Sequence, residues 1–166
     1  VTLTTNNTDS TNGMLVLSAN YKNSGNGAPL YSEAFTINTN GGNVYLGGGN
    51  DTGTSYPNAT DWNGIEFNGL TINSNGGDVE IRGESDNSNG LRFASGLNIN
   101  TGGGNLYMKG ITENYAGIFF TSNTTLNSGN GSIELEGLSE GSGGDYGLYF
   151  SAGYSHYITS SNTTAD

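Results

Sequence analysis

The residues best suited to chemistry in this sequence are its carboxylates and its tyrosines. Asp51, Asp61, Asp78, Glu80, Glu84 and Asp86 lie near one another in the chain. Two carboxylates flanking a glycosidic bond can act as general acid and as base or nucleophile. No cluster of His, Arg and Asp recurs beside them, and the only histidine, His156, stands near the C-terminus, where it reads as solvated. There is no cysteine, so thiol nucleophiles, thiolate metal sites and disulfides are excluded. The expectation is a protein without catalytic residues and without a cofactor.

One metal stays open. "GGGND" at Gly47–Asp51 has the composition of a calcium-binding β-roll turn, but the nonapeptide does not repeat. Calcium held by scattered carboxylates is the remaining cation reading.

The aromatic residues point elsewhere. The chain has 10 Tyr, 6 Phe and 1 Trp, but only 4 Lys plus Arg. Rings with polar tips suit sugar faces and protein contacts. Tyr107, Tyr115, Phe119, Tyr146 and Tyr149 are expected to form one patch. Tyr56, Pro57 and Trp62 sit in a long polar segment readable as a binding loop. The alternatives are cross-strand packing for the first group and a cover over the core for Trp62.

Composition limits the partners. A net charge of −11 argues against nucleic acid, because cationic side chains must neutralise phosphates. No apolar run reaches the 18 residues of a membrane-spanning helix. The hydrophobic fraction is 32%, below the roughly 45–50% of average domains, yet only 11% of residues are charged. Asn, Gly, Ser and Thr dominate instead, which suits tight turns between short strands. The six Asn-x-Ser/Thr sequons match what 25 Asn and 37 Ser plus Thr give at random, so they signal nothing. The chain opens on "VTLTTN", the middle of a repeat, which predicts a fragment or a processed product.

What must position these residues is a repeat of three phrases in fixed order. The first reads "NGIEF", "NGLRF", "AGIFF" and "YGLYF", from Asn63, Asn89, Ala116 and Tyr146. The second reads "FTINTN", "LTINSN", "LNINTG" and "TTLNSG", from Phe35, Leu70, Leu97 and Thr124. The third includes "GNVYLGG", "GDVEIRG", "GNLYMKG" and "GSIELEG". Second-phrase anchors Leu3, Ile37, Ile72, Ile99 and Leu126 are spaced by 34, 35, 27 and 27 residues. The period is therefore 27, with loop insertions such as Gly48–Trp62.

Each phrase alternates apolar and polar residues, the mark of a strand with one buried face. Strands this short cannot bury a face alone. Stacked turns solve the problem by pairing like strands in parallel, about 4.8 Å apart, around a shared interior. The whole chain, residues 1–166, is predicted to be one all-β segment. Its architecture is a three-sided, right-handed parallel β-helix of about five to six turns. An antiparallel sandwich is the alternative.

Stacking aligns outward residues into ladders. The third side should carry Tyr45, Glu80, Tyr107 and Glu134, beside Arg82, Lys109 and Glu136. The first side should carry Glu66, Arg92, Phe119 and Tyr149, with Glu66 able to pair with Arg92. Asn38, Asn73, Asn100 and Asn127 should form an amide ladder that stabilises the stack. Thr36, Thr71 and Thr125 are interrupted by Asn98, which argues against an ice-binding threonine array. Leu148 and Phe150 are expected in the core with the other inward residues.

"GLRFASGLNINTGGGNLYMKG" and "GIFFTSNTTLNSGNGSIELEG" resemble the repeats of large bacterial exoproteins. These are the filamentous-haemagglutinin-like and high-molecular-weight adhesins of the two-partner secretion route. The likeness spans about Phe35 to Phe150. It implies a β-helical shaft, export to the cell surface or beyond, and attachment to host or surface glycans and glycoproteins. The family's Asn-Pro-rich secretion motif is absent, so the chain is similar to shaft or binding region only. No family binding residue can be carried over. Two other readings remain: a self-assembling subunit of an extracellular filament, with copies of itself as partners, and a polysaccharide-degrading β-helix enzyme.

Overall fold

A computed structural model describes residues 1–4, 14–19, 30–48, 58–59, 61–141 and 145–161. Tyr56, Asp51 and the "GGGND" turn beyond Gly48 lie outside the described residues. Among the described residues there is no helix, and every strand pairing is parallel. The antiparallel sandwich is thereby excluded.

The strands form two sheets. Third-phrase strands Met14–Ala19, Asn43–Gly48, Val79–Ser85, Leu106–Thr112 and Ile133–Ser139 stack in chain order in the six-stranded sheet. First and second phrases share the nine-stranded sheet, because Ile65–Asn73 and Leu91–Asn100 each run through both. The sequence suggested two separate sides there. A register shift between Phe67 and Asn68, and Gly69 at φ 97°, bend the strand without ending it.

Registers follow the repeat. Val79 pairs with Leu106, and Leu106 with Ile133. Ile72 pairs with Ile99, and Ile99 with Leu126. A one-residue slip would turn every inward side chain outward, so the shared interior fixes the register. Both sheets contribute to a single core, from Phe67, Phe93 and Phe120 of the first phrase to Ile81 and Met108 of the third. Phe93 and Phe120 stack with ring centroids 5.5 Å apart, and Phe120 and Phe150 with centroids 4.6 Å apart.

Two corner devices recur once per turn. Thr39, Ser74, Thr101 and Ser128 are buried, and each hydroxyl donates to the carbonyl three residues on, at Gly42, Gly77, Gly104 and Gly131. This satisfies a buried hydroxyl and fixes the turn that Gly41, Gly76 and Gly103 allow with positive φ. The second device is a glycine contact between the sheets. A Cβ on Gly83, Gly110 or Gly137 would run into the carbonyl oxygen of Gly90, Gly117 or Gly147. The "NG" glycines of the first phrase are thus set by a backbone-to-backbone approach.

The structure corrects several expectations. Tyr45 is not outward and free but 2% exposed, its ring lying over Gly47, which has no side chain to displace it. Leu148 and Phe150 are partly uncovered, Phe150 at 36%, because among the described residues their strand pairs on one side only, with Ile118–Phe120. His156 is half-buried rather than solvated. It opens a further second-phrase strand, His156–Thr159, on Thr124–Asn127, and its ring meets Phe120 and Phe150 edge-on. Leu30–Ser32 is a further first-phrase strand, paired with Ile65–Phe67.

Candidate functional site

The outward ladders have the expected order, but their environments differ. On the six-stranded sheet Tyr45 leads to Glu80, Tyr107 and Glu134. Tyr107 is built into a charged network. Its hydroxyl donates to Glu136 at 2.7 Å, and the Arg82 guanidinium lies over its ring, 4.6 Å from the centroid. Arg82 also pairs with Glu80, and Lys109 with Glu136 at 2.7 Å. Tyr107 therefore stands apart from the other aromatic candidates and helps hold this face together.

Glu136 reports on that network. The Lys109 ammonium, then the Tyr107 hydroxyl, holds its carboxyl below the ordinary carboxylate value. A depressed folded-state pKa adds stability above the ordinary carboxylate range, and that stability is lost as pH falls through the folded value. Lys109→Met is expected to move the Glu136 titration upward, observable by NMR of the side-chain carboxyl. An unmoved midpoint would show that the ammonium does not set it.

The Asn residues mostly serve the stack. Asn73 donates to Asn38 at 2.9 Å, and Asn75 to Asn40 at 3.0 Å. Side-chain oxygens of Asn43, Asp78 and Asn105 accept from the backbone N–H of Asp78, Asn105 and Ser132 in turn. Asn100 and Asn127 instead accept from Gly102 and Gly129 two residues on, so the expected ladder does not continue through them.

On the nine-stranded sheet the first-phrase ladder runs Glu66, Arg92, Phe119, Tyr149. Glu66 and Arg92 are ion-paired, and the largely buried Glu66 also accepts from Asn63 at 2.6 Å. Phe119 and Tyr149 meet edge-to-face with centroids 5.0 Å apart, and Tyr146 tilts against Tyr149 at 4.8 Å. With Tyr115, Ala116 and Asn89 these rings line an open cavity of about 250 Å³. Asp145 adds a carboxylate to its wall. Tyr115 and Tyr146 are 54% and 57% exposed, a large exposure for rings that gather at one place.

The cavity has a local cause. Asn63, Asn89, Ala116 and Tyr146 occupy the same position of successive first phrases, just before the conserved-spacing glycine. Asn63 accepts from Asn89 Nδ2 at 2.9 Å, and Asn89 Oδ1 accepts from Ala116 N at 3.2 Å. The amide stack ends at Ala116, whose methyl leaves room that Tyr115, Tyr146 and Tyr149 surround. Sequence reasoning grouped the aromatic residues but missed this small residue. Its signal is the change from Asn to Ala within an otherwise regular column.

Trp62 is not in that cluster. It is 48% exposed and lines a second open cavity, of about 390 Å³, with Asp61, Asn63, Glu66, Ser88, Asn89 and Arg92. Three of the carboxylates considered for chemistry have separate partners: Glu80 pairs with Arg82, Asp78 receives Asn105 N–H, and Asp61 accepts from Asn87 at 3.4 Å. Among the described residues no group of three His, Asp or Glu converges as a metal site.

Comparison of the chain with family models, curated proteins and solved structures finds no match.

Proposed function

We propose that this chain is a non-enzymatic attachment segment of a secreted or bacterial cell-surface protein. In this reading the two parallel sheets are sides of a right-handed, three-sided β-helix, a stiff shaft carrying a sugar-binding patch. Host or surface glycans and glycoproteins are the partners. The observation that carries the reading is the cavity in which Tyr115 and Phe119 from one turn meet Tyr146 and Tyr149 from the next. Such rings offer flat apolar faces to the C–H side of a pyranose, while phenol hydroxyls at the rim can bond to sugar hydroxyls. The repeat-style resemblance to exported adhesins supports the surface location.

Glycan-array binding followed by titration calorimetry tests it. Tyr149→Ala should weaken binding about tenfold or more, since this ring contacts both Phe119 and Tyr146. Tyr107→Ala, on the other face, should leave affinity unchanged. Equal effects of the two substitutions, or release of shortened sugar products, would overturn the proposal.

A filament subunit is the second reading, favoured by one observation. Leu148, Phe150 and Ile158 form a partly uncovered apolar row on strands that, among the described residues, pair on one side only. An added turn from another copy would cover them. Sedimentation of the chain as a monomer at high concentration would remove this reading.

A further inference from the structure

We infer that the aromatic cavity is one end of a longer groove that takes an unbranched, neutral oligosaccharide lying along the stacking direction. The inference rests on the sugar-binding reading above and gives it a direction, a length and a charge preference.

The two open cavities share a wall residue, Asn89. The position before the first-phrase glycine steps from Asn63 to Asn89 to Ala116 to Tyr146. Backbone bonds mark each step: Gly64 N–H to Asn89 O, Gly90 N–H to Ala116 O, and Gly117 N–H to Tyr146 O. Successive steps are about 4.8 Å, the spacing of paired strands. That is comparable to one sugar unit of an extended chain. Trp62 stands beside the first position and the tyrosines surround the last two. An aromatic platform thus lies at each end, with buried, mutually bonded amides of Asn63 and Asn89 between them.

Charge selects the kind of sugar. Among the described residues Arg92 is the one cation lining the two cavities, and Glu66 neutralises it. Asp61 in one cavity and Asp145 in the other remain as carboxylates, on a chain of net charge −11. A sialylated, uronic or sulfated chain would meet repulsion at both ends. A neutral chain would find aromatic faces and carboxylate acceptors for its hydroxyls.

Trp62 is the only tryptophan in the sequence, so its emission reports on the far end of the groove. The test titrates the intact chain with linear cello-, malto-, chito- and lacto-N-oligosaccharides from disaccharide to hexasaccharide, and with sialylated and sulfated counterparts. Affinity should rise about tenfold between disaccharide and longer neutral chains, with a Trp62 emission change only for the longer ones. Trp62→Ala should abolish that length-dependent gain, and Trp62→Phe should restore it. Binding that is sensitive to Tyr149→Ala but independent of length, with silent Trp62, would overturn the groove and leave the single pocket standing. Equal or tighter binding of the acidic counterparts would overturn the charge preference. No binding by any member would overturn both the groove and the sugar-binding reading.

Discussion

Phe93→Ala is expected to destabilise the protein by about 3–5 kcal/mol, the cost of a large cavity in a buried core. Phe93 is fully buried and stacks on Phe120. Its strand pairs with Ile65–Asn73 on one side and with Ile118–Phe120 and Thr124–Asn127 on the other. In a stack of turns, stability is close to a sum of turn and interface contributions, so a defect in a central turn weakens two interfaces. Phe150→Ala removes the same side chain from a partly uncovered position and should cost distinctly less. Urea unfolding of both variants measures the difference. Equal losses would mean that the turn at Phe93 does not carry the core as its burial indicates.

Gly110→Ala is expected to cost about 3 kcal/mol, at the upper end for overpacking. The added methyl would collide with the carbonyl oxygen of Gly117 and crowd Ile118. The obstacle is backbone, which cannot rotate away as a side chain can. Relief requires the six-stranded sheet to move off the nine-stranded sheet at that corner, opening the core on the turns above and below. Gly96→Ala is the matched control. Nothing lies within 4 Å of a Cβ there, so it should be neutral or slightly stabilising, through lower entropy of the unfolded chain. Unfolding midpoints that fall equally for the two variants would show that close approach of the sheets is not what demands glycine at Gly110.

These two substitutions also separate what could be read from what could not. The strands and their registers were legible because a fixed 27-residue spacing and strict alternation leave one way to bury every apolar face. Ile72, Ile99 and Leu126 align for that reason alone. The reading failed where the letters of a phrase changed as well as the spacing. Phe35–Asn38 keeps the letters of its phrase and was read across 35 residues, whereas Leu30–Ser32, reading "LYS", and His156–Thr159, reading "HYIT", were missed at separations of 35 and 32. The corner hydroxyls at Thr39, Ser74, Thr101 and Ser128 had a visible signal, Ser or Thr three residues before Gly, that only their burial explains.

For the candidate site the division is sharper. Which aromatic residues point outward followed from alternation, and Phe119, Tyr149 and Tyr107 obey it. That Phe119 and Tyr149 meet also followed, from stacking of like phrases; that Tyr107 stands apart did not, because alternation says nothing about which outward faces are neighbours. Tyr107 lies on the other sheet, occupied by Arg82 and Glu136. Tyr45 folds down on Gly47, which only the local space decides. By itself the sequence determined parallel stacking, the register and the inward face, since these depend on periodic burial along the chain. Only the tertiary structure decided that Tyr115, Phe119, Tyr146 and Tyr149 surround the methyl of Ala116, and that Asn89 joins their cavity to that of Trp62. That outcome depends on side-chain volumes in adjacent turns, a quantity no single phrase contains.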